Sequence, residues 1–402
     1  MTLQTGVGVD INYSAEASFG VAASSAGGST VRKVSSSLNL GKDTYQSNEQ
    51  AAHAQVKNFR HGVRRVNGDI LQGELSLTTY DDFIEAVTRG TWATGAQATE
   101  ADLTNVVSDA ATKTFTFGGG DLLAEGFKVG DVVQFTGLTA AGNNGKNLRI
   151  TALTATTMTV ADTIVTDATP DASFTVQVMG SKVFMPTAKA ALKKRSFSIE
   201  QRFDDVEFSR LFTGVRVGRM ALQLPPTGIM TATFGGMGKD MQILEGANSP
   251  YFTAPAEATG TDQLAAVDGF LRVGGSDVAV VTGLNIDVNL NLSSQPVVGS
   301  NTVPEVFYGR SVVTGSVTAL VDGPTLLKNF VDEDEIELQA FIGLPGGSDF
   351  LSVFLPRLKF TNAEMQLQGE QGLPINLPFQ ALLRDAASSY DETTMVVQSY
   401  SA

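Results

Sequence analysis

The chain has 402 residues, with 28 Lys and Arg against 42 Asp and Glu, and this net charge of −14 argues against gripping nucleic acid by phosphate neutralisation. Hydrophobic residues make up 42% and charged residues 17%, which excludes wholesale disorder and fits roughly two or three domains. Zero cysteines and two histidines exclude disulfides, thiolate zinc sites, Cys nucleophiles and a three-His metal site, so no metal and no cofactor are expected.

The N-terminal stretch MTLQTGVGVDINYS has no basic run ahead of an apolar core and does not read as a signal peptide. No run of about 18 apolar residues follows, so no membrane helix is expected. Residues 1–30 are rich in Gly, Ser and Ala and read as an arm that pairs with a neighbour. Leu38-Asn39-Leu40 reads as a strand. The polar loop from Gly41 to Gly62 is too long for a simple hairpin connection. It mixes Gln46 and other polar residues with Tyr45, Val56 and Phe59, and is expected to order on contact with a partner. Its histidines, His53 and His61, read as solvated. A return strand carries Arg65, and Gly73-Glu74-Leu75-Ser76-Leu77 alternates as a half-buried strand does.

Tyr80–Val87 reads as a helix, because Phe83, Ile84 and Val87 fall on one stripe and Asp81 and Asp82 sit where the helix dipole favours acids. Residues 96–180 then form a compact β module of their own, with Asn143-Asn144-Gly145 as a turn and strands Leu148–Ala152 and Thr157–Ala161. Gly118–Asp121 lacks the Lys-Ser/Thr pair and the helix of a phosphate loop, and Gly235–Lys239 lies in a sheet context. Lys193-Lys194-Arg195 reads as a strand entry or as an ion-pair partner for a neighbouring acidic chain.

Period-two alternation continues at Phe197-Ser198-Ile199-Glu200 and is perfect from Leu284 to Leu292. Pro324–Val331 reads as a second helix, with Leu326, Leu327 and Phe330 on one stripe and Asp322 as N-cap. Asp332–Glu335 lacks the spaced oxygens and turn glycine of a calcium loop and reads as a solvated acidic turn.

These elements repeat. Leu38–Leu40 and Leu290–Leu292, the strands before each helix, the two helices, and the later pairs Leu222–Leu224 with Met365–Leu367 and Met230–Phe234 with Ile375–Phe379 come in the same order. The period is far above that of a solenoid, so the pattern is a whole-domain duplication. The module at 96–180 has no counterpart and reads as an insertion at a surface loop. The polar faces of the strands carry the chemistry. Gln72, Glu74 and Ser76 share one face, Ser198 and Glu200 another, Asp287, Asn289 and Asn291 a third, and Glu364, Gln366 and Gln368 a fourth. They are either ordinary wet sheet faces or the wall of a water-filled pore.

Two blocks resemble a known family. Arg64–Ile70, Gly73–Leu75, Tyr80–Ala86 and Gly90-Thr91-Trp92 are similar to the first conserved block of tail tube proteins of long-tailed, siphovirus-type bacteriophages. Ser196–Phe203, Phe212–Val217 and Thr233–Lys239 are similar to the second. Together they cover most of residues 34–240 outside the insertion.

The resemblance implies an all-β fold with one short helix per half: duplicated β-sandwich or split-barrel domains that close a barrel on ring assembly. The expected division is residues 1–95 with 181–245, an inserted β domain at 96–180 on the tube exterior, and residues 246–402. The implied role is a non-enzymatic major tail tube subunit of the virion, made in the bacterial host cytoplasm. Homotrimers would form pseudo-hexameric rings that stack around a tape-measure protein and meet tail terminator and distal tail or baseplate proteins. Viral DNA would pass during ejection without specific binding, and no membrane is involved. Gln72, Glu74, Ser76, Glu200, Asp287, Asn289 and Glu364 would line the lumen, and Tyr45, Gln46, Val56 and Phe59 would make inter-ring contacts. A baseplate ring and, outside this class, a multi-domain β adhesin are the alternatives. A carbohydrate hydrolase is disfavoured, because clustered aromatics usually accompany its acid pair and the chain has one Trp.

Overall fold

The computed structural model describes residues 3–49, 55–274, 276–278, 280–344, 347–365, 372–385 and 389–401. Strands dominate. In chain order they are β1 (Val9–Ala15), β2 (Asn39–Gln46) and β3 (Phe59–Glu74), then α1 (Asp81–Thr88). An eight-stranded unit between Gln97 and Val178, which includes the one-turn helix α2 (Glu100–Leu103), interrupts the series. There follow β4 (Ser181–Phe184), β5 (Phe197–Phe203), β6 (Phe208–Leu224), β7 (Thr231–Gly238) and β8 (Asp240–Glu245). The rest is β9 (Gly269–Val273), β10 (Val281–Asn289), β11 (Val312–Leu320), α3 (Thr325–Val331), β12 (Ile336–Gly343), β13 (Phe350–Phe360), β14 (Glu364–Met365), β15 (Pro374–Ala381) and β16 (Val396–Tyr400).

Alternation of apolar and polar residues makes these strands two-faced, and two-faced strands bury one side by stacking sheets. All the pairings between named strands are antiparallel. In the first half the order is β2–β3–β7–β6–β5–β1. In the second half it is β10–β11–β15–β13–β12–β9. Even a register shift recurs, between Phe197 and Ile199 on β5 and between Ile336 and Leu338 on β12. The far end of β6 pairs with β10, from Arg219 opposite Asn289 to Leu224 opposite Leu284, so the halves share one continuous sheet. That sheet is open at both ends; no barrel closes within one chain.

Several expectations are corrected. Residues 9–15 of the N-terminal arm form β1, paired with β5 of the same chain. Both ends of the stretch from Gly41 to Gly62, residues 41–46 and 59–62, form a β-ribbon rather than a loop, with Tyr45 opposite Arg60 and Gln46 opposite Phe59; His53 lies outside the described residues. Helix α3 takes Pro324 as N-cap with no side-chain cap bond, so Asp322 does not cap it. Lys194 and Arg195 find their acids within the chain, at Glu305 (3.2 Å) and Glu85 (3.0 Å).

The insertion has its own core around Phe115, Phe127, Phe135 and Val176. It docks mainly on the second half, with Phe184 and Lys182 of the first half also against it. Phe354 and Val396 enter its core, Val132 packs on Phe341 and Phe350, and the buried Gln398 amide bonds both Val132 (2.9 Å) and the Met179 carbonyl (2.8 Å). Between them Lys182 bridges Asp131 (3.1 Å) and Asp391 (3.0 Å); burial pushes the Asp131 carboxyl up to about 6 against the pull of Lys182.

Candidate assembly surfaces

Directly opposed residues in antiparallel strands point to the same side of a sheet. Gln72 lies opposite Thr233, Thr233 opposite Ala221, Ala221 opposite Asp287, Asp287 opposite Thr314, and Thr314 opposite Gln380. One step along the strands, Glu74, Thr231, Gln223, Asn285 and Ser316 form a second polar row. Glu364 opposes Asn376, which opposes Thr318, and so joins the same side. The opposite side is apolar and buried: Leu71, Phe234, Met220, Leu222, Ile286, Val288, Val317, Leu377 and Phe379 belong to one core.

The result is one polar face spread over eight strands, β2, β3, β7, β6, β10, β11, β15 and the β13–β14 edge, counted from their pairings. Five residues from the sequence reading meet on it: Gln72, Glu74, Asp287, Asn289 and Glu364. Gln72 accepts a bond from Ser35 (3.2 Å), and Glu364 one from Asn362 (2.8 Å). Asp287 is held by Arg219 (2.6 Å), whose guanidinium pKa rises through that hydrogen bond. Arg219, Gln223, Thr314 and Gln380 are members that the sequence reading missed, although the period-two pattern of each strand carries them.

Ser76 and Glu200 do not belong to this face. Glu200 is fully buried, and its carboxylate accepts from Tyr251 N (2.6 Å), Phe252 N (3.2 Å) and Asn12 Nδ2 (3.3 Å). Ser198 beside it is also buried, bonded to Glu16 (3.0 Å). Ser76 is buried against Thr79 (2.7 Å) and the Arg32 guanidinium. In each case a crossing segment covers the polar side, and the residue becomes an internal fastener. Asn291 lies beyond the end of β10 with φ 47° and donates to the Arg310 carbonyl (2.8 Å). Gln366 and Gln368 fall outside the described residues.

The ribbon β2–β3 projects from one edge of the sheet. Tyr45, Gln46, Val56 and Phe59 are all exposed there, the three apolar ones to 57–60%. The equivalent excursion of the second half, residues 291–311, instead folds back on the first half. Val303 and Val306 pack with Val63, and Glu305 pairs with Arg216 (3.1 Å).

Enzymatic furniture is sparse. Among the described residues no group of three or more His, Cys, Asp or Glu is placed to hold a metal ion, and no helix is long and apolar enough to cross a membrane. A cavity of about 480 Å³ between Leu224–Pro226 and Phe270, Leu284 and Phe341 is mostly apolar, and its one acid, Asp277, is tied to Arg149 (3.2 Å).

A family model described as phage tail tube protein matches residues 6–381. No curated protein matches the chain. A model match over nearly the whole length of a chain built as a two-faced β-sheet makes it a structural part of a virion tail: the chain belongs to the phage tail tube protein family.

Proposed function

We propose that three copies of this chain close a ring and that stacked rings make the DNA-conducting tube of a siphovirus-type tail. The carrying observation is the largely polar face over eight strands with an open edge at each end. In this reading the chain is two copies of one domain, divided near residue 246, with residues 96–180 inserted. Three copies give about 24 strands; at ~4.8 Å spacing and ~45° tilt the circumference is about 160 Å and the backbone diameter about 50 Å. Side chains leave a bore on the order of 35–40 Å, enough for a hydrated duplex.

Closure pairs the β13–β14 edge of one copy with the extended segment at residues 34–38 of the next, which is hydrogen-bonded to β3 at Gln72 and Asp69 and runs into β2, as β6 pairs with β10 inside one chain. It also removes the exposed edges that invite aggregation. Gln72, Glu74, Asp287, Asn289 and Glu364 then line the lumen. The acidic side chains repel phosphates, the uncharged ones offer no cation to grip them, and Arg219 is paired with Asp287, so DNA slides past without specific binding. The insertion sits on the other side of the core. Phe350 and Phe354 point to it, while the alternate residues Leu351, Val353 and Leu355 point to the core beneath the polar face. That supports an exterior position. The projecting ribbon with Tyr45, Gln46, Val56 and Phe59 reaches the adjacent ring, and the tape-measure, terminator and distal tail proteins are the remaining partners.

Electron microscopy of the concentrated, purified protein tests this. Hollow striated tubes with three chains per ring are expected. Discrete rings favour a baseplate ring instead, and six chains per ring overturn the trimer. Deleting residues 45–57 is expected to leave a folded monomer that does not polymerise; tubes from that variant overturn the inter-ring role.

A further inference from the structure

In the first half, a segment that leads into β9 seals the α1 end. Leu264 is fully buried with Leu77, Tyr80, Phe83 and Met230 in one core. Its backbone donates to Leu75 O (2.8 Å) and accepts from Met230 N (3.0 Å). Thr261 donates to Leu77 O (2.7 Å), and Thr259 bonds Thr79. In the second half, the residues at the same places in the pairing order, Val321, Leu326, Leu327 and Ile375, line an open cleft of about 260 Å³ together with Pro324 and Met365. A water takes about 30 Å³, so a leucine side chain fits readily. The ends of β11 and β15 are paired out to Leu320 and Pro374. An occupant therefore lies on α3 and not between the strands.

We propose that this cleft takes the N-terminal segment Leu3–Val7 of the neighbouring copy in the ring. The inference rests on the ring proposed above. The strand that occupies the place of β9 in the first half is β1: Tyr13 opposes Ile199 as Val273 opposes Leu338. The segment leading into β1 is residues 3–8, as residues 259–268 lead into β9. Leu264 stands five residues before Gly269 and Leu3 six before Val9, so the reach matches. Leu3 and Val7 are 75% and 96% exposed in the single chain, with the segment anchored at Thr5 by Asp205 (2.7 Å). If each copy follows the last as the second half follows the first, Leu3 of one copy arrives at α3 of the other.

The absence of native cysteine makes the test direct. Leu3→Cys and Leu327→Cys chains are purified separately, mixed, polymerised and oxidised. The expected product is a reductant-sensitive covalent dimer in tubes of the mixture, absent from tubes of either variant alone, because a disulfide needs Cα atoms within about 7 Å. Normal tubes without that dimer, for this pair and for Val7→Cys with Met365→Cys, overturn the proposal. So does an intramolecular disulfide in the dilute double variant. A wild-type chain that never forms rings removes the ring and this contact together; tubes without the dimer remove only the contact.

Discussion

Helix α1 buries Phe83, Ile84 and Val87 almost completely, whereas α3 has no buried residue and leaves Leu327 and Val331 exposed. Both are short, and helices of seven or eight residues are not stable by themselves, so each takes its stability from what covers it. Under α1 lies an aromatic cluster, with Phe83 4.8 Å from Tyr13, 5.6 Å from Phe197 and 5.5 Å from Phe234. At the places of Tyr13 and Phe197 the second half has Val273 and Ile336. Against the strand end and turn that lead into α1 lies the segment through Leu264, held also by Glu200 at Tyr251 and Phe252; the described residues put nothing comparable at the start of α3. The difference teaches that a repeated sequence plan fixes the elements but not their cover. One end is covered within the chain, and among the described residues the other is not.

The largest test of this contrast is Phe83→Ala, expected to cost about 3–5 kcal/mol in urea unfolding of the monomer. Phe330→Ala, on the half-buried face of α3, is expected to cost about 1 kcal/mol. Equal costs would break the comparison. Next, Leu264→Ala removes the seal and is expected to cost about 2–4 kcal/mol. Third, Glu200→Ala leaves the buried N–H groups of Tyr251 and Phe252 without their acceptor and is expected to cost about 2 kcal/mol or more, while Glu364→Ala on the open face stays within about 0.5 kcal/mol.

The last test is a pH dependence at the α1 end. Burial, with Asp82 and Glu85 nearby, pushes the Asp81 carboxyl up from 3.8 to about 6. The folded state therefore binds this proton more tightly than the unfolded chain. The contribution of Asp81 to stability should grow as pH falls through about 6 and be complete below about 4. The melting temperature of wild type minus that of Asp81→Asn, followed from pH 7 to 4, isolates this term. A flat difference would show that Asp81 is solvated.

The polar face was largely legible. Gln72 with Glu74 and Asp287 with Asn289 each follow from period two, because a strand's alternate side chains must share a side. The same rule misplaced Ser76 and Glu200. Alternation says which residues share a side, not whether water or another segment occupies it. Both helices were also legible, through Phe83, Ile84 and Val87 and through Leu326, Leu327 and Phe330. Their unequal burial was not, since it depends on residues far away in sequence. The ribbon from Gly41 to Gly62 looked like a loop because both its faces are wet, and a strand without a buried face has no hydrophobic signature.

By itself, then, the sequence determined the alternating strands, the two amphipathic helices, the order in which they recur and the acidic, cysteine-free composition, all of which are local or additive properties. Only the tertiary structure decided that the halves join through β6 and β10, that the insertion in the first half docks on the second, and that Glu200 is a fastener while Asp287 stays on an open face. Those outcomes depend on which segments come to lie against one another, and long-range pairing in a sheet is set by the packing of the whole chain rather than by any stretch of it.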